Sequence, residues 1–112
     1  MAVLLYSPNA QGLLGDIKRL IAEGHIETWS YDRDGDFTHT SSGGQWKNKA
    51  WLRPKTFADR LEMNIIRPKD DHINREVFAI YHGRFIEMAI AHVPKLFSSA
   101  SATPFATDGD LV

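Results

Sequence analysis

Five histidines, a run of alternating carboxylates and a cluster of cations interleaved with aromatic rings are the residues of this 112-residue chain whose types could do chemistry. His72, His82 and His92 stand ten residues apart. On one helix such neighbours lie about 15 Å apart along the axis, so they cannot share a metal ion. His25 and His39 come from an earlier segment and could approach a helix, but no His-Glu-x-x-His pattern or convergent carboxylate accompanies them. A helix end accounts for His92, cross-strand packing on Trp29 for His39, and a packed or interfacial position beside Tyr81 and Gly83 for His82.

Asp32-Arg33-Asp34-Gly35-Asp36 resembles the opening of a calcium loop, yet Gly43 stands at the twelfth position, where a bidentate Glu belongs. Hairpin-turn chemistry explains the run without a metal. No Gly-x-Ser-x-Gly, P-loop or Gly-x-Gly-x-x-Gly pattern occurs, and there is no cysteine. Asp59, Glu62 and Glu87 could form a paired-carboxylate site, but nothing in their spacing requires one. No catalytic residue, metal or cofactor is therefore expected.

Charge segregation carries more. Residues 1–44, 45–60 and 61–112 have net charges of -3, +4 and -2, which cancel to the overall -1. That balance argues against a globally basic nucleic-acid binder. The middle island sets Lys47, Lys49, Trp51, Arg53 and Arg60 on one open sheet face beside Thr28, Ser30, Thr38 and Thr40, the parts of a surface for single-stranded nucleic acid or phosphate. Outward lysines also keep strands from aggregating, so the face reads first as solvated surface, then as a polyanion-binding or protein-binding one. A second candidate is a ligand pocket between sheet and last helix, lined by Trp29, His39, Tyr81 and His82.

The elements that must position these residues follow from hydrophobic periodicity. Leu13, Leu14, Ile17, Leu20 and Ile21 paint one stripe of a first helix, capped by Ser7 or Asn9 and ended by Gly24. Gly12 and Gly15 each cost about 1 kcal/mol in a helix interior, which predicts a frayed start. Ile26 to Tyr31 and Phe37 to Thr40 read as a hairpin; pairing Tyr31 with Phe37 and Trp29 with His39 keeps all four rings on one side. After the connector Ser41 to Gly44, Trp46 to Leu52 and Phe57 to Ile66 are two more strands, turned at Pro54-Lys55. Val77, Phe78, Tyr81, Phe85, Met88, Ala89 and His92 define a long helix from about Ile73 to Val93, capped by Asp70 or Asp71 and stopped by Pro94. Ile80, Ile86 and Ile90 widen its apolar surface beyond one seam.

The expected fold is α+β: a helix, a four-stranded antiparallel meander and a long C-terminal helix on one sheet face, forming a single domain over residues 1–97 with a disordered tail over 98–112. Its order partly resembles the helix, three strands, helix of double-stranded RNA-binding domains, but the resemblance stops at topology. Where those domains carry a lysine cluster, Lys69 to Glu76 has a net charge of -1. The absence of cysteine suits a cytoplasmic protein, and no apolar run reaches the roughly 18 residues that span a bilayer. The leading expectation is a non-enzymatic interaction module that self-associates as a homodimer, or engages a protein partner, through the wide apolar face of the last helix.

Overall fold

The computed structural model describes residues 3–40 and 44–112, so most of the expected connector lies outside the described residues. The architecture is α+β, with helices α1 (Ala10–Ala22) and α2 (Arg75–His92) and a six-stranded antiparallel sheet. Its strands are β1 (Val3–Tyr6), β2 (Trp29–Tyr31), β3 (Phe37–His39), β4 (Trp51–Thr56), β5 (Arg60–Ile66) and β6 (Ser99–Ala102). Their order across the sheet is β2-β3-β4-β5-β1-β6. No helix among the described residues is long and apolar enough to cross a membrane.

α1 forms because its apolar stripe has a core to face, burying Leu13 and Ile17. Asn9 caps it, its side-chain oxygen accepting from the Gly12 N–H at 3.0 Å. The expected fraying at Gly12 does not occur. A Cβ there would lie 2.4 Å from the Asn9 amide nitrogen, so the missing side chain is the room the cap occupies. Gly24, at φ +80°, follows the helix end as anticipated.

The β2–β3 hairpin takes the anticipated register, Tyr31 opposite Phe37 and Trp29 opposite His39. The rest of the sheet corrects the four-stranded expectation. Pro54 sits inside β4, opposite Met63 in β5, and the hairpin turns instead at Phe57 to Arg60, where the Phe57 N–H donates to the Arg60 carbonyl at 2.9 Å. β3 is paired to β4 only at Phe37 and Leu52, so the later part of β4 has the edge character that proline tolerates. β1 lies between β5 and β6, a position in which Val3 and Leu5 are fully buried.

The expectation of a disordered tail is also corrected. Ser99–Ala102 pairs with β1, and the segment beyond it returns to the far end of β5. There the Leu111 N–H donates to Ile65 and the Arg67 N–H donates to Leu111, making a short parallel bridge. Backbone hydrogen bonding orders a stretch that has almost no apolar side chain to bury.

α2 begins at an Asn74 cap, whose oxygen accepts from the Val77 N–H at 2.9 Å, rather than at Asp70 or Asp71. Its buried residues Val77, Phe78, Tyr81, Phe85, Met88 and Ala89 join those of α1 and the sheet in one core. Most of the wide apolar surface is thus closed within the chain. Ile80 and Ile86 remain half-buried, and Ile90 is 57% exposed.

Candidate functional site

Of the five residues expected to form a basic sheet face, only Trp51 and Arg53 lie in β4 and Arg60 in β5; Lys47 and Lys49 occupy the exposed loop before β4. Carboxylates already engage both arginines. Arg53 donates to Asp36 through two parallel hydrogen bonds of 3.1 and 3.0 Å. Arg60 binds Asp59 at 2.6 Å and Glu62 at 3.1 Å while its guanidinium lies over the Phe57 ring. These hydrogen bonds raise both arginines above their ordinary pKa, Asp36 being the main cause for Arg53 and Asp59 for Arg60. A phosphate at either guanidinium would have to displace an acid that is built in. The hydroxyls are partly committed as well: Thr38 is buried and donates to the Ala50 carbonyl at 2.8 Å, and Thr40 donates to the Glu27 carbonyl at 3.3 Å.

Three of the four pocket candidates do meet. Trp29 packs edge-on against His39 and Tyr81, with centroids 5.2 and 5.6 Å away, and Phe85 closes the cluster at 5.3 Å. Rings in contact at these separations fill the space a ligand would need. His82 points elsewhere. It stacks on Phe78 with centroids 3.9 Å apart, and its Nδ1 lies 2.5 Å from the Phe78 carbonyl. The neutral tautomer that donates there leaves Nε2 as a buried acceptor without a partner. Burial lowers the pKa of both His39 and His82, so the neutral ring is the form each site favours.

The Tyr81 hydroxyl fixes the loop before β4. It donates to the Trp46 carbonyl, accepts from the Lys49 N–H at 3.2 Å and touches the Thr38 hydroxyl at 3.2 Å. Clefts lie elsewhere. One of about 300 Å³ separates α1 from the end of α2 beside Asp16, Arg19, His92 and Lys95. Its arginine is held by Glu23 and Asp16. Another of about 210 Å³ lies beneath Phe105, which is 70% exposed and covers the Arg75 guanidinium. Among the described residues no group of three or more His, Asp or Glu side chains could hold a metal ion.

Among the described residues, two surfaces bear on assembly, besides exposed Phe105 and the β2 edge. One is the outer flank of α2, where Ile90 follows Ile86 by four residues and a Cβ on Gly83 would meet open space. The other is the free edge of β6, whose residues are Ser99, Ala100, Ser101 and Ala102. The isoleucines were visible in the sequence as an over-wide stripe; β6 gave no apolar or β-branched signal. No family model, no curated protein and no solved structure matches this chain.

Proposed function

We propose that this protein is a non-enzymatic interaction module that assembles as a homodimer through the outer flank of α2. The observation that carries the reading is the exposure of Ile90 one turn from half-buried Ile86, on a helix whose opposite side is engaged in the core. Self-burial of such a flank removes apolar surface from water at about 25 cal/mol per Å². Gly83, whose Cβ position is open, lets a second backbone come close. The rings of Trp29, His39 and Tyr81 act as packing in this reading, Arg53 as a tie between the β3 and β4 segments, and Arg60 as a tie within its own hairpin end. A cytoplasmic setting fits a chain without thiols.

Size-exclusion chromatography with light scattering tests the proposal. The expected species is a dimer, and Ile90→Glu raises its dissociation constant at least about tenfold, equivalent to about 1.4 kcal/mol, with an unchanged far-ultraviolet spectrum. A strict monomer at high concentration overturns the reading.

A further inference from the structure

We infer that the two copies join by antiparallel pairing of β6 with β6 across a two-fold axis, making one continuous sheet with the two α2 flanks packed above the seam. This deepens the self-association reading and rests on it. Two independent observations lie side by side to support it.

The first is the strand itself. β6 ends the sheet, paired to β1 on one side only. Edge strands are commonly protected by lysine, proline or a bulge. Ser99 to Ala102 contains neither of those residues and no charge of any kind. Its small side chains leave the backbone N–H and C=O groups accessible to an added strand.

The second is the position of α2. Tyr81 and Phe85 lean toward the rings of β2 and β3, and His39 feels the charges of Arg84 and Glu87 on the same flank. The opposite flank, carrying Phe78 and His82, faces the C-terminal segment, and α2 lies against β1 and β6. Helical spacing continues that flank through Ile86 to Ile90. Exposed Ile90 and half-buried Ile86 therefore lie on the flank turned away from β2 and β3, toward the β6 side of the sheet. Ala100 and Ala102, opposite the buried Leu5 and Val3, form the floor below them.

A second copy is the occupant that this geometry favours. The edge and the Ile86–Ile90 shelf are both uncharged, so a two-fold axis brings no like charges together there. Ser-Ala-Ser-Ala also pairs with itself without a face mismatch: with the two-fold axis at Ser101, that residue meets its counterpart and Ala100 meets Ala102 of the other copy, so the alanines stay on the helix-bearing face. One axis thereby satisfies backbone groups and covers apolar side chains at the same time, as an isologous interface requires.

The test uses the absence of cysteine, which makes each introduced thiol unique. Ser101→Cys and Arg33→Cys variants are spin-labelled separately and examined by electron paramagnetic resonance, with light scattering on the same samples. The expected result is a dimer in which labels at 101 broaden each other strongly, because paired strands lie about 5 Å apart. Labels at 33, beyond the opposite edge, should not interact at short range. A dimer with remote labels at 101 overturns the β6 seam while leaving self-association standing. A monomer at every concentration overturns both.

Discussion

Asp36 and Arg53 bind each other across the β3–β4 junction through a planar pair of hydrogen bonds, with the Asp36 side chain 9% exposed and that of Arg53 55% exposed. The carboxylate lies one residue before Phe37, whose partner Leu52 precedes Arg53. The ion pair therefore reinforces the single paired position that links the β2–β3 hairpin to the rest of the sheet.

Its loss should destabilise that junction more than an average surface ion pair would. Discounted for solvent screening of the arginine, Asp36→Asn or Arg53→Ala is expected to cost about 1 kcal/mol. A double-mutant cycle in urea should return most of that amount as coupling; additive effects would show that the two residues act separately.

Tyr81→Phe removes the hydroxyl that receives the Lys49 N–H and donates to Trp46. Two hydroxyl protons, those of Tyr81 and Thr38, serve contacts to Trp46, to Ala50 and to each other, so one proton is shared. The expected cost is about 1–2 kcal/mol, with faster amide exchange at Lys49. An unchanged exchange rate at that amide would contradict the anchoring role.

Acid should weaken the fold before the carboxylates titrate. Burial is the main cause lowering His39 and His82 from 6.5. Around His39, Arg84 reinforces that effect and Glu87 opposes it; around His82, the Phe78 carbonyl and Asp110 oppose it while Arg75 reinforces it. Since the unfolded chain takes up protons first, stability is fully present above pH 6.5 and falls as pH drops below it. Each histidine contributes a slope of at most about 1.4 kcal/mol per pH unit. Urea midpoints between pH 8 and pH 5 measure this, and His82→Gln should flatten the profile; an identical profile would assign the acid sensitivity elsewhere.

Gly109→Ala should loosen the C-terminal segment. Gly109 has φ +94°, and a Cβ would stand 2.9 Å from the Asn64 side-chain oxygen. The expected penalty is about 1–2 kcal/mol, concentrated in faster exchange at the Arg67 and Leu111 amides. A penalty without that local signature would place the strain somewhere else.

The parts legible from sequence are those in which side chains alone impose the geometry. Alternating rings set the Trp29–His39 register, and the stripes through Leu13 and Phe85 located both helices. Pro54 misled because its local preference is for a turn, whereas an incompletely paired strand accepts it. Ser99–Ala102 was hidden for the opposite reason: its strand state comes from pairing with β1 and not from any propensity of serine or alanine. At the candidate site, Trp29, His39 and Tyr81 come together as packed rings and not around a cavity, and His82 diverges because adjacent residues on a helix point about 100° apart. The Asp36 partner of Arg53 depends on strand pairing, which charge counts along the chain do not contain, whereas the Arg60–Glu62 pair, two residues apart on one strand, follows from alternation alone.

The strand Val-Leu-Leu-Tyr of β1 is flanked by β5 and β6, whose residues lie some sixty and a hundred positions further along. During synthesis this apolar ribbon is made early and must wait for both neighbours, so its pairing is a late step dominated by non-local contacts. Until Ser99–Ala102 arrives, one of its backbone edges has nothing to pair with. Shortening the chain to end at Phe97 would leave one backbone edge of this apolar strand permanently open, a template for aggregation. The Ser-Ala-Ser-Ala segment thus moves the open edge of the sheet from an apolar strand to one of small side chains.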